Sequence, residues 1–467
     1  MKRIIIIMLM FVSAKLLAEP EQYDIKITVE GLEDSVAYLG YHFGEKKYLL
    51  DTSMVNTGGK VRFDGQKEIP SGVYFLYSKN LYMEFLVDEK DFSLDTKKQD
   101  MYGSMTVTGS QSNEAFKSFQ LFMISHQKKV NELTAGLDSS STKSDSTLVY
   151  DQVKELNTAN SEERERLKQV NKDNLVGQIL TMMDMSPGMK FSSESLSAEE
   201  RREEYNIFRK EYFDDVDFQS QGTLRTPLFH KKLLEYVDRV VVQNPDSIIS
   251  AVDELLLRSQ GNEEMYRYIM VVMFQKYQNP KIMGMDKVFV HLSDEYYLKG
   301  KASWADSAMI AELKGEMKFH RENQMGMQAP YIALVDTLDK PVRLYHVQSE
   351  YTVLYFYSPT CGHCKKKTPV LKEVYDRIKS KGVEVVAVCT DTDIPKWKEF
   401  IKDLDLNWLN YGDPHLRSNF RVQYNVRSTP VMYVLDKDKK IIAKKIDVDQ
   451  LEGFINDQIR LKERKKS

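Results

Sequence analysis

Two cysteines three positions apart, Cys361 and Cys364, are the residues of this chain best suited to covalent chemistry. They stand in Cys361-Gly362-His363-Cys364, and the third cysteine of the sequence, Cys389, lies well downstream. A pair at this spacing can cycle between dithiol and disulfide. One close pair supplies neither a disulfide framework nor an all-cysteine zinc site. Upstream, Tyr351–Tyr357 is an apolar run that reads as a buried strand, and Ser358-Pro359-Thr360 leads from it into Cys361. Downstream, Val370, Leu371, Val374, Tyr375 and Ile378 recur at helical spacing. The pair is therefore placed at a strand-to-helix junction, where free backbone N–H groups and the helix dipole favour an anion. A thiolate is such an anion. Cys361 is expected to have a depressed pKa and to attack, while Cys364, on the same face, resolves the mixed disulfide. His363 adds positive or hydrogen-bonding character beside the thiolate, and Lys365, Lys366 and Lys367 add a screened positive field. Cys389, closing an apolar strand, reads as a buried inert thiol.

The elements that must position this pair follow from the apolar pattern. Val383–Val388 is a second strand, Lys396–Leu404 a helix and Val431–Leu435 a third strand. Ile441–Ile446 pairs with it across Asp436–Lys440, and Leu451–Ile459 closes the chain as a helix. Such an order predicts a central sheet covered on both faces.

These residues resemble the thioredoxin-fold domains of exported proteins of the TlpA and ResA type. The resemblance spans 325–467 and rests on the strand, the Cys-Gly-His-Cys motif, Pro369, and Ser428-Thr429-Pro430 ahead of Val431–Asp436. It implies a thiol-disulfide oxidoreductase acting on protein thiols and disulfides, with no cofactor beyond the Cys361–Cys364 pair. It also implies that Pro430 is cis beside the disulfide, and that the backbone of Thr429 pairs with the substrate. Three positions depart from the pattern. Thr360 stands where many relatives have Trp, Tyr355 where thioredoxins bury an Asp, and Lys367 where ResA-like proteins have a Glu. The Gly362-His363 dipeptide resembles that of protein disulfide isomerase, at about −180 mV against about −270 mV for thioredoxin, a gap of roughly 4 kcal/mol. The motif thus leans towards the oxidising side and leaves the direction of electron flow open.

The remaining sequence surrounds this domain with others. Its 467 residues are 42% hydrophobic and 29% charged, the composition of folded globular domains. With 66 basic against 69 acidic residues, nothing argues for nucleic-acid binding. Residues 331–467 hold 25 basic and 19 acidic residues, a local excess of +6 in a chain of net charge −3. Residues 1–18, with Lys2 and Arg3 before the apolar run Ile4–Val12, match a signal peptide; an uncleaved anchor is the alternative. Export places the protein in the periplasm or cell envelope. There a dithiol stays reduced only if something supplies electrons, which implies a membrane electron donor or acceptor.

Residues 21–112 show short alternating strands expected to form a small antiparallel β-sandwich or barrel. Residues 113–324 read as an α-helical middle domain, interrupted at 139–147 by a Ser/Thr-rich stretch expected to be a flexible loop. The three-domain layout resembles Bacteroidetes envelope proteins with DUF4369-like and DUF5106-like segments ahead of thioredoxin. Two further function classes compete with the enzyme. In one, the protein is a non-enzymatic envelope scaffold with a vestigial dithiol. In the other, a soft-metal (copper) chaperone, Cys361, Cys364 and a histidine such as His415 bind metal, aided by Met182, Met183, Met185 and Met189. Methionines more often pack than ligate, so the metal reading is the weaker.

Overall fold

The computed structural model describes residues 23–135, 143–185, 188–189, 191–193 and 195–464. The expected signal peptide, 1–18, lies outside the described residues, as do residues 139–142 of the Ser/Thr-rich stretch. From Lys143 that stretch is helix rather than loop, because the helix formers between Gln152 and Lys168 carry the helix back into it. The chain divides into two compact units: the described residues up to Val242 with Leu255–Tyr268, and Gln243–Glu254 with the described residues from Ile269.

The first unit begins with eight strands: β1 (Tyr23–Glu30), β2 (Val36–Phe43), β3 (Lys46–Met54), β4 (Lys60–Gly65), β5 (Gly72–Ser78), β6 (Leu81–Val87), β7 (Asp91–Lys97) and β8 (Thr106–Thr108). They form two four-stranded sheets, β4-β1-β7-β8 and β3-β2-β5-β6. Alternation in β1 buries Tyr23, Ile25, Ile27 and Val29, which join Leu39, Phe63, Leu76, Phe85 and Leu94 in one core. The turn before β4 needs its glycines: Gly58 and Gly59 have φ of +82° and +74°, and a Cβ on Gly59 would lie 2.0 Å from the Val29 carbonyl oxygen. One pairing departs from the antiparallel expectation, since β1 runs parallel to β7. Alternation reports which face is buried but not strand direction, and the long connection between β1 and β7 lets either direction form.

Helices follow: α1 (Gln111–Thr134), α2 (Lys143–Val170), α3 (Leu175–Asp184), α4 (Ala198–Glu211), α5 (Gln221–Leu224) and α6 (Phe229–Glu235). The side chain of Asn113 in α1 donates to Leu86 O and accepts from Leu86 N, both at 2.8 Å, pinning the helix to β6. α6 runs into a π-helical turn, Tyr236–Val240, that keeps the apolar stripe of Leu233, Val237 and Val240 buried. Next come α7 (Pro245–Arg258), α8 (Glu263–Gln278), α9 (Asp286–Leu292) and α10 (Ser307–Met317).

The second unit holds the α/β sheet. Its elements are β9 (Leu334–Asp336), β10 (Pro341–Val342), β11 (Tyr351–Tyr357), α11 (Gly362–Ile378), β12 (Val383–Cys389), α12 (Ile394–Asp403), β13 (Leu409–Gly412), α13 (Phe420–Gln423), β14 (Val431–Asp436), β15 (Ile441–Lys444) and α14 (Val448–Arg464). The seven strands are ordered β10-β9-β13-β12-β11-β14-β15. β11 sits inside the sheet, parallel to β12 and antiparallel to β14, and every residue of it is buried. Its odd-numbered side chains, Tyr351 to Tyr357, join Cys364 and Leu371 of α11 and Leu451 of α14 on one face. Leu354 and Phe356 join Val386, Tyr424 and Tyr433 on the other. This double burial is why β11 reads as an unbroken apolar run.

A buried ion pair ties α9 to β15. Lys444 donates to Asp286, to Asn323 O at 3.0 Å and to Asn323 Oδ1 at 3.1 Å, and Gln324 Nε2 donates to Asp286 Oδ2 at 2.9 Å. Removing one partner of such a pair generally costs about 3–5 kcal/mol, because the other charge stays buried. Helices from the middle of the chain are thereby fixed to the edge strand of the thioredoxin-like sheet.

Candidate active site

The chain leaves β11 at Tyr357, turns through Ser358-Pro359-Thr360 and enters α11 at Gly362, with Cys361 as the N-cap residue. The turn is tied internally. Asp391 Oδ2, just past β12, accepts from Ser358 Oγ at 2.8 Å and from Thr360 Oγ1 at 3.2 Å. The Thr360 N–H donates to Ser358 Oγ at 3.1 Å. Cys361 is partly exposed and Cys364, one turn on, is buried. All three cysteines, Cys389 included, are free thiols.

The two active-site sulfurs differ sharply. Burial alone would raise the Cys361 thiol, but hydrogen bonds from the Thr429 hydroxyl, from the N–H and thiol of Cys364 and from the His363 N–H outweigh it and lower the pKa. Those two N–H groups are the free first-turn donors that a helix N-terminus offers. As a thiol, Cys361 donates from Sγ to Thr429 O at 3.2 Å. Cys364 has the opposite fate: burial pushes it up to about 11. Cys389, buried behind β11, is pushed to about 12 by the same cause.

The other sequence-derived candidates fall around the sulfurs. The Thr429–Pro430 bond is cis, and the Thr429 carbonyl faces Cys361. His363 is exposed, and its backbone N–H donates to the Cys361 sulfur. A Cβ added at Gly362 meets nothing within 4 Å, so local packing does not require glycine there. Lys367 is held by Asp447 at 2.8 Å and Asp449 at 2.9 Å, so its charge is spent on those carboxylates rather than on the sulfur.

Sequence reasoning missed several residues. At the position of the relatives' buried carboxylate, the Tyr355 hydroxyl shares a hydrogen bond of 2.9 Å with Thr368 Oγ1. Tyr355 also stacks on Tyr357, with centroids 5.6 Å apart. Burial raises the Tyr355 phenol, so a neutral hydroxyl pair takes the place of a charge. Thr368 was findable, since it follows Cys364 by one helical turn on the buried face; Asp391 and the Ser358 hydroxyl carried no periodic signal. Beside Tyr355 and Pro430 lies a cavity of about 310 Å³, lined also by Lys367, Arg427, Lys445 and Asp447.

Two members of the soft-metal set have other partners. His415 Nε2 donates to Asp339 Oδ1 at 2.8 Å, and Met182 is buried in the helical core with Thr226 against its sulfur. Among the described residues, no group of three or more His, Cys, Asp or Glu could hold a metal ion.

Comparison with known proteins matches the three segments separately. A thioredoxin-like family covers residues 349–441, a domain of unknown function (DUF5106) residues 193–323, and another (DUF4369) residues 23–116. The thiol-disulfide oxidoreductase ResA of Bacillus cereus is 30% identical over 138 residues, 28% of this chain and 77% of that protein. ResA of Oceanobacillus iheyensis is 25% identical over 155 residues, 32% of this chain and 79% of that protein. Among solved structures, a domain of a possible thiol-disulfide isomerase from Cytophaga hutchinsonii is 35% identical. The match covers 30% of this chain and 96% of that domain, with a TM-score of 0.29.

Proposed function

The chain belongs to the ResA family of thiol-disulfide oxidoreductases, and from that premise we propose that it exchanges disulfides with client proteins in the cell envelope through Cys361 and Cys364. The observation that carries the reading is the split between the two thiols, one lowered at the helix N-terminus and the other buried and raised. In the reducing direction the Cys361 thiolate attacks a client disulfide, forming a Cys361–client bond and releasing one client thiolate. Cys364 then attacks Cys361 Sγ, closes the Cys361–Cys364 disulfide and releases the second client sulfur, which takes the Cys364 proton. Two electrons and the Cys364 proton pass to the client, the first-released client thiolate takes its proton from water, and an external dithiol must restore the pair. The reverse sequence oxidises a client dithiol.

The main chain at Thr429, next to Pro430 and facing the attacking sulfur, is the platform against which a client strand would lie. The signal-like sequence of residues 1–18 supports a location outside the cytoplasm, where a membrane-associated electron donor or acceptor would complete the cycle. Among the described residues no helix is long and apolar enough to cross a membrane. The test is a two-electron redox titration of the pair in the full chain, in which the couple disappears when Cys361 is replaced by Ser.

His363→Pro probes the tuning of that couple. Proline has no N–H, so the variant deletes one of the donors to the Cys361 thiolate as well as the imidazole. Destabilising the thiolate destabilises the reduced form, so the reduction potential is expected to fall by tens of millivolts, roughly 1–4 kcal/mol. Equilibration with glutathione measures it; an unchanged or higher potential would remove His363 from the tuning set.

A further inference from the structure

We propose that the cavity beside Pro430 receives an anionic side chain flanking the client's cysteine, and that Lys445 sets this preference. The inference rests on the exchange function above and adds the class of client to it. The Thr429 carbonyl lies 3.2 Å from Cys361 Sγ, and Pro430, the next residue, lines the cavity. A client sulfur bonded to Cys361 therefore brings its neighbouring residues to the mouth of this space.

The charges around the cavity are not equally committed. Lys367 is paired with both Asp447 and Asp449, which together leave one carboxylate charge in excess. Arg427 donates to Glu316 Oε2 at 2.7 Å and stacks over the Phe319 ring at 4.2 Å. Lys445 is exposed, and among the described residues no carboxylate lies in ion-pair range of it. Its backbone is left-handed, with φ of +53°, where β15 ends. The preceding Lys444 turns inward to Asp286, so the two adjacent ammonium groups serve different sites. Although the side chain reaches solvent, its ammonium is partly desolvated and lies near Lys444 and Arg427, which lower its pKa against the pull of Asp286 and Glu316; a client carboxylate would relieve that penalty. Among the described residues, the cation at the cavity with no carboxylate in ion-pair range is thus Lys445. Tyr355, Pro430, Met432 and Ile446 supply apolar wall for the methylenes of a glutamate.

The experiment uses the reduced full chain and three disulfide peptides that differ only in the residues flanking cysteine: Glu, Gln or Lys. Each second-order rate is divided by the rate of the same peptide with dithiothreitol, which removes intrinsic differences in disulfide reactivity. The Glu peptide is expected to exceed the Lys peptide by roughly 1.5- to 5-fold at low ionic strength, a partly exposed ion pair converted to a rate ratio, and to lose part of that lead as salt rises. Lys445→Gln is expected to flatten the ratio and Lys445→Glu to invert it. Ratios taken within one variant are independent of how much of that variant is folded. Hydroxyethyl disulfide, small and uncharged, separates the two levels of the account. If the protein reduces neither it nor any peptide, the exchange function itself is wrong. If it reduces them but shows no charge ranking, or if Lys445→Glu keeps the wild-type ranking, the function stands and the role of the cavity is overturned.

Discussion

Cys364→Ser is expected to accumulate mixed disulfides with client proteins, whereas Cys361→Ser is expected to form none. The asymmetry follows from position. Cys361 is the partly exposed N-cap residue, with the His363 and Cys364 N–H groups directed at its sulfur, so it makes the first bond to a client. Cys364 is buried one turn on and meets only the Cys361–client bond. With Ser at 364 the second displacement has no nucleophile, and the intermediate persists until an outside thiol cleaves it. Non-reducing gels of an extract exposed to each variant, followed by mass spectrometry of the retarded bands, read the result. The expected change is from undetectable to dominant. Equal trapping by the two variants would abolish the order of attack and resolution.

Selective alkylation measures the same asymmetry without a client. At pH 7 a thiol of pKa about 11, as for Cys364, is roughly 0.01% thiolate. An unshifted thiol near 9 is about 1% thiolate, and Cys361 lies on the acidic side of that value. The thiolate fractions thus differ by at least ~100-fold. The more acidic thiolate is the weaker nucleophile, with a Brønsted slope of about 0.4–0.5, which reduces the rate ratio to roughly 10- to 15-fold. Burial of Cys364 widens it again. The sign with pH is fixed: Cys361 labelling should rise through a pKa below the usual thiol range and then level off, while Cys364 labelling keeps rising towards pH 11. Iodoacetamide labelling followed by peptide mapping tests this, and earlier labelling of Cys364 or Cys389 would contradict it.

Much of this arrangement is legible in the residues. Tyr351–Tyr357 is recognisable as a strand because both faces of β11 are covered, leaving no polar position to blur the run. The junction at Cys361 follows from that strand and from the helical period of Leu371, Val374 and Ile378 behind it. The short strands β9, β10 and β13 were not legible, since segments of two to four residues complete no period. Nor was the parallel pairing of β1 with β7, which depends on a partner distant in sequence. At the site, spacing picks out Cys361 and Cys364, but three features depend on tertiary contacts. Asp391 reaches the turn from the end of β12, Tyr355 finds Thr368 across the strand–helix interface, and Lys367 is turned from a field source into an ion-pair partner by Asp447 and Asp449. The His363 N–H meets the sulfur for a related reason: the first turn of a helix directs N–H groups at its cap, whatever side chain they carry.

The most direct test of the account is the redox titration of the full chain in glutathione or dithiothreitol buffers, read as the loss of two thiols. A reversible two-electron transition is expected, with a midpoint between about −270 and −180 mV, the values of thioredoxin and protein disulfide isomerase. It should map to Cys361 and Cys364 and be absent from Cys361→Ser. A chain whose Cys361 and Cys364 show no such transition, or whose transition survives in Cys361→Ser, would contradict the assignment of this pair as the reactive centre.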